Sequence, residues 1–299
     1  MRIFITGATG FIGQALVKRL SAEGHEIVAW VRSMERARAQ LGEEVTLLNM
    51  NATDEALADA LKDCDGAVNL AGAPVVARWS QAYRKELVTS RVTLTERLTR
   101  GMQGSAVKVL VSSSAVGYYG DRGEERLVES SAPAEGFLAK LCVDWERAAT
   151  EGVDAECRVV LLRTGIVLGQ EGGALEKMLL PFKAGVGGPI GSGKQFMPWI
   201  HIDDMVGIIV KALEDASYEG VFNASAPQPV SNTVFTKALG RALKRPTFMW
   251  VPTFGLKALY GEATGVLVAS QMAVPEALLN QGFKFSFEDL DAALNDILN

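Results

Sequence analysis

The chain is poor in histidine and cysteine. His25 and His201 are its two histidines and lie far apart in 299 residues. Zinc takes three or four grouped nitrogen or sulfur donors, so no metal site is expected. Cys64, Cys142 and Cys157 are odd in number and form no CxxC pair. That excludes a disulfide framework and points to reduced thiols in a cytoplasmic setting. Basic residues are not in excess, and the net charge is −5. Such a balance lacks the electrostatic footprint of a partner that is nucleic acid or an anionic membrane. No apolar run is long enough to span a bilayer. Glycines break the N-terminal apolar stretch early, so it does not read as a signal peptide. Internal repeats, charge blocks and disordered linkers are also missing.

What is present is an alternation of short apolar runs with helical patterns. RIFIT at 2–6 reads as a buried strand, and Phe11, Ile12, Ala15, Leu16 and Leu20 share one helical face behind it. Further strands are expected at 26–31, 45–48, 66–70, 107–112, 157–163 and 220–223. Helices are expected at 57–61, 83–102, 139–151 and 203–213. Alternating strands and helices imply parallel pairing through right-handed crossovers. Strands that are apolar without alternation imply a sheet covered on both faces. The expected fold class is therefore α/β, a doubly wound parallel sheet of the Rossmann type. Residues 1–170, with about 203–226, are expected to form it. The glycine- and proline-rich segments 171–202 and 227–299 are expected to form a smaller C-terminal substrate lobe.

Residues 6–13 read TGATGFIG, directly after the first strand and opening the first helix. A dinucleotide-binding turn requires that context. Gly7 permits a tight turn, Gly10 admits a pyrophosphate against the backbone, and Gly13 lets helix pack closely on strand. Thr9, Phe11 and Ile12 lie in the same turn, where the free N–H groups of a helix start attract phosphate. At the end of the second strand Val31 is followed by Arg32, where an acid would select NAD. A guanidinium there pairs with a 2′-phosphate, so NADP is the expected cofactor. Later, 188–194 read GPIGSGK, close to a P-loop. Gln195 stands where a magnesium-ligating hydroxyl belongs and no strand precedes the loop, so a triphosphate site is rejected.

With those residues in place, the chain resembles the extended short-chain dehydrogenases/reductases over nearly its full length. TGATGFIG, NLAG at 69–72, SSSAV at 112–116 with Tyr119-Gly120, RTGIVLG at 163–169 and WIHIDD at 199–204 carry the likeness. It is most similar to the atypical branch called epimerase family proteins, of the bacterial YfcH type. Arg78-Trp79, Ser90-Arg91, GYYG at 117–120 and Asp144-Trp145-Glu146 mark that branch. The resemblance implies that Leu70, Ala71 and Gly72 lie along the adenosine side of the cofactor and Val167 beside its nicotinamide. It also implies that Glu86 and Arg91 reach the cofactor, and that Ser114 donates a hydrogen bond to a reacting carbonyl, with Tyr118 or Tyr119 able to reach the same pocket. The helices at 83–102 and 139–151 often form dimers in this family, so a homodimer is among the expectations.

The resemblance breaks at one point. Active members pair a tyrosine with a lysine four residues later, whose charge lowers the phenol pKa. Four residues beyond Tyr83, Tyr118, Tyr119, Tyr218 and Tyr260 stand Leu87, Arg122, Gly123, Phe222 and Thr264. Two expectations follow. One is an NADP(H)-dependent oxidoreductase or epimerase acting on a small carbonyl or sugar-like substrate. The other is an NADP(H)-binding redox sensor or regulator that does no chemistry.

Overall fold

In the computed structural model, which describes residues 1–299, β1 (Arg2–Thr6) sends Ile3 and Ile5 to one face of a sheet and Phe4 to the other. Both faces are apolar because helices cover both, as parallel sheets require. The chain continues through α1 (Phe11–Ala22), β2 (Glu26–Val31), α2 (Met34–Leu41), β3 (Thr46–Asn49), α3 (Asp54–Leu61) and β4 (Gly66–Asn69). Then come α4 (Gln81–Val88), a π-helical turn (Thr89–Thr93), α5 (Leu94–Met102) and β5 (Val109–Ala115). After β6 (Arg126–Leu127) follow α6 (Phe137–Thr150), β7 (Arg158–Thr164), β8 (Ile166–Leu168) and α7 (Gly173–Lys183). The last named elements are β9 (Phe196–Met197), β10 (Trp199–His201), α8 (Ile202–Glu214), β11 (Gly220–Ala224), α9 (Asn232–Leu243) and α10 (Thr253–Tyr260).

Seven strands form the sheet in the order β11-β7-β5-β4-β1-β2-β3, all parallel. The order reverses between β1 and β4, and ligands of doubly wound folds bind at that reversal, beyond the strands' C-terminal ends. On one face, α1 and α8 bury Leu16, Leu20, Met205 and Ile209. On the other, α3 and α5 bury Leu57, Leu61, Leu98 and Met102. A separate apolar cluster joins α7, β9, β10, α9 and the C-terminal helix Leu290–Leu298 through Phe182, Trp199, Phe235 and Leu294. The short β6 pairs with Met272–Ala273, which ties the C-terminal part of the chain back beside Tyr119.

The structure differs from the sequence expectation in three elements. The helix expected over 83–102 begins at Gln81 and is divided by the π turn, which re-aims Ser90 and Arg91. β5 runs on to Ala115, so the serine motif is the buried end of a strand. An additional helix, α2, caps on Ser33 and buries little beyond Ala37, too weak an apolar face to register as periodicity.

Candidate functional site

The turn after β1 explains its own glycines. Gly7 has φ 71°, and a Cβ on it would lie 2.7 Å from the Leu70 carbonyl at the end of β4. A Cβ on Gly13 would lie 2.2 Å from the Gly7 oxygen, so α1 rests against the turn with no room for a methyl group. No side chain caps α1, and its first turn holds no acid. By contrast Ser33, Thr53, Ser80 and Ser231 cap α2, α3, α4 and α9. The free amides after Gly10 therefore face the crevice uncompensated. Phe11 points the other way. Cβ atoms on Gly169, Gly172 and Gly173 would stand 2.6, 3.1 and 2.9 Å from its ring, so that ring locks the β8–α7 segment onto the start of α1.

Beneath the turn lies a buried polar lattice. Thr6 Oγ1 donates to Asn69 Oδ1 at 2.7 Å and accepts from the Ala71 amide at 3.2 Å. Asn69 Nδ2 donates to Thr95 Oγ1 and Ser112 Oγ at 2.7 and 3.1 Å, and the Trp145 indole donates to Thr95 at 3.1 Å. These bonds fix the ends of β1, β4 and β5 relative to one another. Sequence reasoning missed Thr95 and Trp145 in this role. A threonine and an indole on helices carry no local signal of their partner.

At the end of β2, Val31 is buried while Arg32 is exposed, with no carboxylate partner. Arg36, one turn further along α2, is likewise exposed and unpaired. Two free guanidinium groups beyond the end of β2 suit a phosphate monoester.

Arg91 sits deeper. Its Nη2 donates to the Ala73 oxygen at 2.9 Å, and its guanidinium lies 5.2 Å from the Trp145 ring centroid. A Cβ on Gly72 would lie 3.0 Å from that guanidinium, so a side chain there would crowd Arg91. Burial pushes the Arg91 pKa down, and no carboxylate stands within ion-pair distance. A half-buried cation without an anion is costly, and a bound phosphate would relieve it. Glu86 is exposed on α4 and makes no ion pair with Arg91.

The end of β5 holds the largest departure from expectation. Ser114 Oγ donates to Glu146 Oε1 at 2.6 Å. Glu146, on α6, is gripped by Arg163 of β7 through two bonds of 2.8 and 2.9 Å. The Arg163 side chain is 4% exposed and that of Glu146 11%. Burial opposes the Arg163 cation, but the hydrogen bonds and charge of Glu146 outweigh it and raise the arginine pKa. Arg163 also donates to Tyr119 Oη at 3.0 Å, and Tyr119 donates to Asn223 Oδ1 at 2.7 Å.

Two expectations are thereby corrected. Ser114 has committed its proton to Glu146, so toward a ligand it offers lone pairs rather than a donor. Tyr119 is fully buried, its hydroxyl is occupied on both sides, and burial raises its pKa. It orders the pair, and its hydroxyl is already engaged by Arg163, Asn223 and the Val128 oxygen. Tyr118 is the half-exposed member, its ring 3.4 Å from the Arg163 guanidinium carbon. Cys142 is buried on α6, and burial pushes its thiol up to about 12.

Trp79 donates to the Val75 oxygen and packs edge-on against Phe137, while Arg78 is exposed. Met197 and Trp199 are core residues and Val167 is buried. Lys140 is exposed and pairs with Asp144. His201 caps α8 by accepting from the Asp203 amide, a structural role. A polar cavity of about 300 Å³ opens between the loop after Tyr119, with Asp121 and Glu124, and Lys194, Gln195, Thr253 and Ser270.

The described sequence profile of the NAD dependent epimerase/dehydratase family matches residues 3–225. The chain belongs to that family. A second profile, a domain of unknown function (DUF1731), matches residues 251–297. The epimerase-family chain is 38% identical over 305 residues to human epimerase family protein SDR39U1, covering 100% of both. It is 34% identical over 301 residues to epimerase family protein YfhF of Bacillus subtilis, covering 100% of this chain and 98% of the relative. The crystal structure of human SDR39U1 isoform 2, which contains NADPH, superposes with TM-score 0.90 at 36% identity, covering 100% of this chain and 99% of that one. UDP-glucuronic acid 4-epimerase from Bacillus cereus superposes at 0.82 with 18% identity over 100% of this chain and 98% of that one, a likeness of fold.

Proposed function

We propose that this epimerase-family chain binds NADP(H) and acts as an oxidoreductase on a small carbonyl or sugar-like substrate that presents a hydroxyl to Ser114. Bound nicotinamide supplies the hydride acceptor or donor. The observation that carries the reading is the 2.6 Å bond from Ser114 to a carboxylate clamped by Arg163. Because the serine proton is spent, Ser114 accepts a hydrogen bond from a substrate hydroxyl and passes the released proton toward Glu146. The Gly7–Gly10–Gly13 turn supports the diphosphate, and Arg32 and Arg36 support the 2′-phosphate. The NADPH found in the human relative supports the same cofactor. The finer likeness, to the YfcH type, rests on sequence motifs such as Ser90-Arg91 and Asp144-Trp145-Glu146.

The test is NADP⁺ reduction at 340 nm with a panel of alcohols and sugar derivatives. Turnover that falls by ~100-fold or more in Ser114→Ala supports the reading, since acid–base groups contribute factors of that order. Cofactor binding with no turnover across the panel, unchanged in Ser114→Ala, favours a non-catalytic NADP(H) sensor. The sealed Tyr119 and absent lysine favour that second reading.

Arg32 separates the cofactors. Arg32→Ala should weaken NADPH by roughly 10- to 100-fold, the loss of one or two charge-assisted hydrogen bonds, and leave NADH nearly unchanged. Calorimetric titration with both cofactors checks it, and an equal loss for the two removes the 2′-phosphate role.

A further inference from the structure

Between Glu219 and Glu262 the chain has no acid. Residues 220–261 carry Lys237, Arg241, Lys244, Arg245 and Lys257 and no Asp or Glu, a local +5 in a chain of net −5. The rest of the chain must then carry −10, so the whole-chain charge conceals a basic segment. Arg241 is paired with Asp291, and the other four have no carboxylate within ion-pair distance. Lys237, Arg241, Lys244 and Arg245 line one open cavity of about 350 Å³, with Thr247 at its edge.

The residues that follow are apolar and bare. Phe248 is 76% exposed, Trp250 60%, Phe254 74% and Leu259 67%. α10 buries none of its residues. The strip is nonetheless held. The Trp250 indole donates to the Gly191 oxygen at 2.7 Å, and Val251 exchanges backbone bonds with Pro189 and Gly191. Gly188 packs against the Met249 carbonyl. Large side chains exposed together mark an interaction surface.

We infer that this strip and its basic rim form a docking surface for an anionic lipid bilayer. Aromatic wedges that enter the headgroup boundary, with lysine and arginine at phosphate level, are the chemistry of interfacial binding. A second copy fits less well. Across a two-fold interface the basic rim would meet itself, with no acid in the segment to answer it. Single-stranded nucleic acid would engage the cations and rings but leave Met249 and Leu259 without a partner. The inference stands independently of the proposed catalytic reading.

The experiment mixes the full chain with phosphatidylcholine vesicles, and with vesicles that also contain phosphatidylglycerol, and reads co-sedimentation and tryptophan emission. Trp30, Trp145 and Trp199 are buried and Trp79 is half-buried, so a blue shift reports mainly on Trp250. Expected are binding to the anionic vesicles alone, a blue shift absent in Trp250→Phe, and release by salt. Lys244→Gln with Arg245→Gln should weaken binding by ~10-fold or more. Phe254→Ser, a surface change, should do so with the thermal midpoint retained, which guards against misfolding. Equal binding to neutral vesicles, no binding to either, or binding to a single-stranded oligonucleotide in place of vesicles would overturn the inference. So would a light-scattering dimer whose formation shifts Trp250 emission in the absence of lipid.

Discussion

Arg163→Met should lower folding stability by about 3–5 kcal/mol, the cost of leaving one member of a buried ion pair without its partner. Urea denaturation followed by circular dichroism reads this as a lower midpoint at unchanged slope. The size follows from the surroundings. Without Arg163, the Glu146 carboxylate keeps the Ser114 hydroxyl as its side-chain donor while remaining almost out of water. The Glu129 oxygen and Tyr119 hydroxyl each lose a donor as well. Glu146→Leu alone should be comparably harmful, since it strands the cation. The double variant Glu146→Leu with Arg163→Met should recover much of the loss, because two apolar side chains escape the desolvation of two charges. If Arg163→Met were as stable as the parent, the pair would not be the buried clamp described. If the double variant recovered stability but not turnover, the pair would be needed for the proton relay through Ser114 and not for the fold alone.

That clamp was legible in the sequence only in outline. Glu146 lies on the α6 face that also buries Cys142 and Ala149, and an acid on an apolar helical face needs a partner. Arg163 ends a run of apolar residues in β7, and a cation there needs the same. Each signal is visible alone. What joins them is the parallel register of β5 with β7, which sets Ser114 opposite Arg163. No local pattern encodes that register. TGATGFIG and the strand–helix alternation were legible because their physics is local: a turn, a helix start and two periodicities. Tyr119 was misplaced for the converse reason. Its position five residues after Ser114 suggested the pocket, but a 3₁₀ turn at Val116–Tyr119 carries the side chain under the sheet's edge toward Asn223. The net charge says nothing of where charge lies, since a sum over the whole chain averages away the acid-free segment 220–261.

The glycine turn permits stability and binding to be separated, and two substitutions should show it. Gly13→Ala places a methyl carbon 2.2 Å from the Gly7 oxygen and 2.7 Å from the Ala8 Cα. Both neighbours are backbone, pinned in turn by β1 and by the bonds of Thr6, so neither can give way cheaply. Either α1 lifts from the turn or the turn opens. Overpacking of this kind costs roughly 1–3 kcal/mol or more, and the displaced amides should lose cofactor affinity by at least ~100-fold. Gly10 differs. Its φ of −81° and ψ of 173° suit any residue. A Cβ there meets one protein atom, the Gly7 oxygen at 3.1 Å, which a shift of a few tenths of an ångström relieves. Backbone strain therefore does not demand glycine at position 10; space for a ligand does. Gly10→Ala should keep the thermal midpoint within about 3 °C, as a change below ~1 kcal/mol does in a chain of this size. It should still weaken NADPH by ~10-fold or more, because the methyl group occupies the approach of the diphosphate to the helix start. Thermal melts with and without NADPH read both effects at once, since ligand stabilisation scales with affinity. A Gly10→Ala protein that melted like the parent and gained as much from NADPH would place the diphosphate elsewhere.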